Sequence, residues 1–261
     1  MKVVILCGGQ GSRIKGVSDI VPKPMVNVGH QPILWHIMKL YAHYGYHEFI
    51  LCLGYKGWMI KEFFLNYYAK TSDLTISLNK ENWVVYHDKS HEHDWKVTLA
   101  ETGEESQTGT RVRLIKKFLS DTEPFHLTYG DGLADIDIGR LVKAHQKFGG
   151  LGTLTGVHPA GRFGEIEVAG HKIKSFNEKP NVTSGMINGG FMIFEPRVFG
   201  KYFTGEEDVI LEKDIIPLIV RDKKMGIYEH EGFWQCMDTP REHALLNKLW
   251  QDGEAPWKLW K

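Results

Sequence analysis

Cysteine is scarce in this chain: there are three, Cys7, Cys52 and Cys236, and no Cys-x-x-Cys pair. An odd number without that spacing argues against a disulfide framework or a zinc ribbon. Each cysteine lies in or beside an apolar stretch, the pattern of buried, reduced thiols in a cytoplasmic protein. Neither sign of charge is in excess, since 32 Lys and Arg balance 32 Asp and Glu. A nucleic-acid binder carries a basic surplus, so no nucleic-acid partner is expected; a small anionic substrate needs only a local basic cluster. No apolar run reaches membrane-spanning length, and no membrane partner is expected. The opening MKVVILCGG lacks the long apolar core and cleavage site of a signal peptide and reads as a first core strand. Repeats, low-complexity tracts and linkers are missing as well, so the 261 residues are expected to form one domain.

What the chain does have is alternation of strand and helix. KVVILC (2–7) and EFILCLG (48–54) are short apolar runs suited to strands buried on both faces of a parallel sheet. Between them Ile33, Ile37, Tyr41 and Tyr44 recur at helical spacing, and Gly45 ends the helix. GWMIKEFFLNYYAK (57–70) is a second helix. This is the βαβ signature of a doubly wound α/β sheet. LTISLN and WVVYHD read as short strands, KVTLAET follows a charged stretch, and TGTRVRLIKKFL (108–119) is an amphipathic helix. PFHLTYGDG is a buried strand running into a glycine-flanked aspartate. Beyond residue 150 the runs shorten, and LGTLTGVH, GEIEVAG, KIKSFNEKP and GGFMIFE read as strands of a β-rich subregion. EKDIIPLIVRDKK reads as a helix despite Pro217, MGIYEHEGFWQCMDT as a strand leading to a second aspartate, and PREHALLNKLW as a final helix.

CGGQGSRIKG follows the first strand directly, which is how a backbone meets phosphate. It has no Gly-Lys-Ser/Thr, so it is not a P-loop; it lacks the third glycine of the dinucleotide fingerprint, which weakens an oxidoreductase reading. A third reading is a loop whose backbone N–H groups reach an anion, with Arg13 adding charge. A plain turn also uses glycine. Against it stands VPKPMVNVG, in which Lys23 is held between Pro22 and Pro24 and is therefore aimed. Asp131 and Asp238 each follow an apolar strand, and open α/β sheets bind ligands at the carboxyl ends of their strands. Asp131 alone also fits a turn, and Asp238, in MDTP, also fits a helix N-cap. HDKSHEHD offers His87, His91 and His93 with Asp88, Glu92 and Asp94, which could ligate a transition metal. A solvated insertion is the expected reading, with closure over a ligand or a subunit contact as alternatives. Trp234, Trp257 and Trp260 could line an interface or a substrate pocket, or simply pack.

GGQGSR, VPKPM and QPILWHIM, followed in order by TYGDG, GRFGEIEV, FNEKP, INGGFMIFEP and GFWQCMDT, resemble the sugar-1-phosphate nucleotidyltransferases along essentially the whole chain. ETGEESQTGTR, GFWQCMDT and APWKLW are similar to the branch that transfers a cytidylyl group. Ser12 and Cys7 stand where threonine and alanine are more usual, and neither departure removes a charge. The resemblance implies a mixed, mostly parallel Rossmann-like sheet with an added β-rich subregion. It implies that CTP and glucose 1-phosphate give CDP-glucose and pyrophosphate with Mg²⁺ as cofactor, in a cytoplasmic homo-oligomer. Residues 1–150 would serve mainly the nucleotide, and 151–261 mainly the sugar and oligomerisation. Leu6, Gly8, Gly9, Gly11, Ser12, Arg13, Lys23, Thr108, Arg111 and Asp131 would hold the nucleotide, with Arg13, Lys23 and Asp131 catalytic. Lys179, Glu178, Asn188, Gly189 and Gly164 would bind the sugar phosphate, and Asp131 and Asp238 the metal. A different phosphorylated substrate or nucleotide, or a non-catalytic nucleotide sensor, are the alternatives.

Overall fold

The structure is a computed structural model, and residues 1–9, 21–79, 83–87, 92, 94–159, 165–169, 172–177 and 185–260 are described. Its centre is an eight-stranded sheet made of β1 (Val3–Leu6), β2 (Glu48–Leu53), β3 (Lys96–Glu101), β4 (Phe125–Tyr129), β5 (Gly152–Val157), β6 (Ile187–Asn188), β7 (Met192–Phe194) and β8 (Met225–His230). β1 pairs in parallel with β2 and β4, and β2 with β3, so the carboxyl ends of these four strands share one edge. β7 runs antiparallel to β4. β5 pairs in parallel with β8 along its length. It pairs antiparallel with both β6 and β7, and since a strand has only two edges, those two lie end to end. The mixed, mostly parallel architecture expected from the sequence is the one observed.

Every residue of β1 and nearly every one of β2 is buried, because two apolar layers close on the sheet. One cluster joins Val3, Ile5, Leu51 and Leu53 to α1 (Ile33–His43). The other joins Val4, Leu6, Ile50 and Leu127 to Val112, Phe199 and Ile219. Apolar side chains therefore point to both faces in turn, and the strand reads as one continuous run instead of an alternating one.

Several expected elements are divided. The helix over 57–70 is two, α2 (Gly57–Leu65) and α3 (Tyr67–Thr71), broken at Asn66, whose side-chain amide donates to the Glu62 carbonyl at 2.9 Å. The segment 108–119 is α4 (Thr108–Leu114) followed by a single 3₁₀ turn, Lys116–Phe118. Leu74–Ser77 and Trp83–Tyr86 form a separate hairpin. Pro217 is accommodated because a π turn, Leu211–Ile215, precedes the α-helix Ile216–Arg221, and proline falls in that helix's first turn, where its N–H is not needed. The expected long strand before Asp238 is two strands. β8 joins the main sheet, and Trp234–Cys236 pairs instead with Gly132–Ala134. Trp257 is fully buried in the core, between Phe233 and Trp250, and does not line a pocket or interface.

Candidate active site

A cavity of about 380 Å³ opens at the shared carboxyl edge of β1, β3 and β4. Leu6, Gly8 and Gly9 enter it from the end of β1, Asp131 from beyond β4, Thr108 and Arg111 from α4, Lys23 from the turn after the first loop, and Asp238 from the Trp234–Cys236 ribbon. Eight of the sequence-expected residues thus meet in one place. Cys7, Pro24, Ser106, Gln107, Tyr129 and Gly130 also line it. None of these was expected in the site, although Ser106 and Gln107 lie inside ETGEESQTGTR and could have been read from it. Gly11, Ser12, Arg13, Gly164, Glu178 and Lys179 lie outside the described residues.

The floor is built by register. Gly132–Ala134 pairs antiparallel with Trp234–Cys236, Cys236 opposite Gly132. The ladder continues one step, with the Met237 N–H donating to the Asp131 carbonyl at 2.8 Å. Asp238 is thereby set beside Asp131. It is not the cap of the final helix, Pro240–Gln251: Thr239 is, in a capping box with Glu242. Pro22 precedes and Pro24 lies within a 3₁₀ turn, Lys23–Met25, that carries Lys23 to the same point. Gly130 has no room for a side chain, since a Cβ there would lie 2.9 Å from the Leu6 carbonyl and 3.0 Å from the Pro24 ring. That close approach brings the lysine turn against the ends of β1 and β4.

Lys23 Nζ lies 2.5 Å from Asp131 Oδ2 and 2.5 Å from Asp238 Oδ1. Burial pushes the ammonium's pKa down, but the Asp131 charge and the hydrogen bonds to both carboxylates outweigh it, and the pKa is raised. Among the described residues, two carboxylates face this one ammonium.

Arg111 is buried, and burial lowers its pKa. Its guanidinium donates to the carbonyls of Leu53 (2.9 Å), Gly103 (2.7 Å), Gly8 (3.2 Å) and Glu104 (3.2 Å), and to Thr102 Oγ1 (2.9 Å). It ties the glycine loop to the ends of β2 and β3. The Thr108 hydroxyl donates to Glu212. Asn188 and Gly189 approach from the side: Asn188 Nδ2 donates to the Tyr129 hydroxyl at 3.1 Å, and Trp234 Nε1 to the Gly189 carbonyl at 2.8 Å.

The described residues of the histidine-rich stretch, His87, Glu92 and Asp94, each pair elsewhere. Asp88, His91 and His93 lie outside the described residues. Glu92 accepts from Lys39 at 2.9 Å and from the Tyr67 hydroxyl at 2.9 Å, Asp94 pairs with His47, and His87 bonds Thr75. Glu92 is tucked into the body of the protein, contrary to a wholly solvated insertion. Among the described residues no group of three or more His, Cys, Asp or Glu side chains is placed to hold a metal, and no helix is long and apolar enough to cross a membrane.

With a lysine and two carboxylates gathered at a parallel-sheet edge beside Gly8 and Gly9, the chain belongs to the nucleotidyl transferase family, whose model matches residues 2–252. The glucose-1-phosphate cytidylyltransferase of Salmonella typhimurium is 41% identical over 261 residues, covering 100% of both chains. Among solved structures, HddC from Yersinia pseudotuberculosis superposes with a TM-score of 0.66 at 21% identity, over 95% of this chain and 99% of that one. Apo UDP-glucose pyrophosphorylase gives 0.66 at 14% identity, over 97% and 99%. These two likenesses speak to the fold.

Members of this family generally use a divalent metal. The donor set fits one. Two carboxylates already converge on a single cation, the Lys23 ammonium. A hard divalent ion needs only one or two protein carboxylates when phosphate oxygens and water complete its shell. Two carboxylates in an anion-binding cavity would otherwise repel a triphosphate.

Proposed function

We propose that this chain transfers the cytidylyl group of CTP to α-D-glucose 1-phosphate, giving CDP-glucose and pyrophosphate. An oxygen of the sugar phosphate forms a bond to the α-phosphorus of CTP, and the bond from that phosphorus to the pyrophosphate oxygen breaks. No covalent enzyme intermediate is needed, so the protein's work is positioning and charge. The observation that carries the reading is the convergence of Lys23, Asp131 and Asp238 in the cavity beside Gly8 and Gly9. The choice of CTP and glucose rests on the full-length likeness to the Salmonella enzyme.

In this reading Leu6, Gly8, Gly9, Gly11 and Ser12 border the nucleotide, and Thr108 its far side. Arg13 and Lys23 supply positive charge near the reacting phosphates. Arg111 acts chiefly through the loop it braces, because it donates to four backbone carbonyls. Asp131 and Asp238 hold Mg²⁺, which when bound offsets phosphate charge. Lys179, Glu178, Asn188, Gly189 and Gly164 serve the sugar phosphate. Residues 1–150 deal mainly with the nucleotide and 151–261 mainly with the sugar and with assembly into a cytoplasmic homo-oligomer.

The test is an assay of the purified chain against CTP, UTP, GTP and ATP with several sugar 1-phosphates and Mg²⁺. CTP with glucose 1-phosphate should give the highest kcat/KM. Equal turnover of CTP and UTP would defeat the base assignment, because a site built to accept from the cytosine amine rejects a carbonyl there.

A further inference from the structure

A chain of hydrogen bonds runs behind the cavity wall. The Thr108 hydroxyl donates to Glu212 Oε2 at 2.7 Å and accepts the Leu211 N–H at 2.9 Å. The Tyr129 hydroxyl donates to Glu212 Oε1 at 2.6 Å. Tyr129 in turn accepts from Asn188 Nδ2 at 3.1 Å, while Asn188 Oδ1 accepts the Gly190 N–H at 3.0 Å, so this amide cannot turn over without losing both bonds. Thr108 and Tyr129 line the cavity; Glu212 stands behind them on the π turn Leu211–Ile215. Such turns recur at functional sites. Burial and the neighbouring Glu212 charge raise the Tyr129 pKa, which keeps its hydroxyl a donor. Among the described residues no cation pairs with Glu212. Each of its oxygens accepts from one side of the site.

We propose that Glu212 is a positioning residue that couples the nucleotide half of the cavity to the sugar half, through Thr108 on one side and Tyr129 and Asn188 on the other. The proposal rests on the functional reading above, in which Thr108 borders the nucleotide and Asn188 the sugar. The direction of the bonds makes a carboxylate necessary. Both neighbours are hydroxyl donors aimed at it, and an amide in its place offers one acceptor and turns a donor toward the other hydroxyl. A ligand that orders Thr108 fixes one oxygen of Glu212. The planar carboxylate then fixes the other, and with it Tyr129 and the Asn188 amide. Such coupling is reciprocal, so each ligand must tighten the other by the same factor.

Titration calorimetry with glucose 1-phosphate and α,β-methylene CTP, which cannot release pyrophosphate, reads this directly. In the wild-type chain each ligand should tighten the other by about tenfold. Glu212→Gln, Tyr129→Phe and Thr108→Val should each cut that factor to below about twofold, while for Glu212→Gln, which lies behind the cavity wall, affinity for either ligand alone changes by less than about threefold. Thr108→Ser, which keeps the hydroxyl, should retain it. Glu212→Gln combined with Tyr129→Phe should couple no less than either alone, since the chain is already broken. Thermal melts report whether each variant is folded, and three separate cuts keep one unfolded variant from deciding the matter. The proposal is overturned if folded variants keep the wild-type coupling, or if they lose affinity for both lone ligands in proportion, as a packing role would. A wild-type chain that turns over CTP and glucose 1-phosphate but shows no mutual tightening overturns it alone. A wild-type chain that binds neither ligand sinks the functional reading first.

Discussion

Arg111 occupies the space that a side chain on Gly8 would need: a Cβ built on Gly8 runs into the guanidinium. The same group donates to the Gly8 carbonyl and to those of Leu53, Gly103 and Glu104. The glycine is thus required by its neighbour's packing as well as by any phosphate. Arg111→Lys keeps the charge and loses the planar fork that serves several carbonyls at once. It should cost about 3 kcal/mol of stability, since each buried acceptor left unpaired costs roughly 1–3 kcal/mol. Gly8→Ala should displace the guanidinium and weaken CTP as well. Urea unfolding and CTP titration check both, and an Arg111→Lys protein of unchanged stability would contradict the bracing role.

His126 is fully buried in β4, and neither ring nitrogen has a hydrogen-bond partner among the described residues. Burial, with smaller pushes from the N-terminal ammonium and His145, lowers its pKa from 6.5 to about 3. As pH falls below 6.5 the unfolded chain takes up a proton that the folded chain refuses. Stability from this group is therefore present above that pH and is lost as pH falls toward the folded value. By pH 5 the loss is about 2 kcal/mol. His126→Leu should remove that much of the decline in urea-unfolding free energy between pH 7 and pH 5. An unchanged slope would assign the decline to other groups, of which His36, lowered to about 4 chiefly by burial, is one that the variant leaves in place.

Trp257 closes one end of the core. Its ring stacks on Phe233 at 5.5 Å and on Trp250 at 6.5 Å, and its Nε1–H donates to His36 Nδ1 at 3.4 Å. The other His36 nitrogen meets the Val28 carbonyl at 2.8 Å, which fits a neutral ring. Trp257→Ala should cost about 3–5 kcal/mol, with Trp257→Phe costing less. Denaturant melts of the two variants give the comparison; equal and small losses would mean that the cavity collapses around the missing indole.

The sheet was legible because β1 and, after Glu48, β2 are unbroken apolar runs, as strands covered on both faces read. Lys23 was legible because two prolines bracket it. What escaped notice lies in relationships between distant segments. Nothing local in EHEGFWQC says that the chain leaves the main sheet after His230 to pair with Gly132–Ala134, yet that pairing sets Asp238 beside Asp131. Nothing local in EKDIIPLIVRDKK singles out Glu212; its two partners come from α4 and β4. Arg111 is a nucleotide contact by resemblance alone, and only the fold brings together the carbonyls to which it donates.

Asp131 and Asp238 offer the sharpest test of the site. Each holds the same Lys23 ammonium at 2.5 Å, and a backbone bond from Met237 to Asp131 locks their spacing. Asparagine keeps each side chain's size and removes its charge, and because Thr239 caps the final helix, Asp238→Asn should leave that helix intact. If the pair holds one divalent cation, each single change should cut kcat by about 10²-fold or more, because the metal offsets charge that peaks in the transition state. The two effects should not add, since a site that has lost one ligand has little left to lose with the second. A double-mutant cycle on kcat at saturating Mg²⁺ measures this, with circular dichroism reporting the fold of each variant. Lys23→Met separates the cation's role from the lysine's: it removes the ammonium that both carboxylates hold, so less Mg²⁺ should be needed to saturate the site, while kcat still falls for want of the lysine's charge beside the phosphates. Full additivity of the two aspartate changes would give them separate tasks. A well-folded Asp238→Asn enzyme with near-normal kcat would remove Asp238 from metal binding and leave it as the partner that holds Lys23 in position.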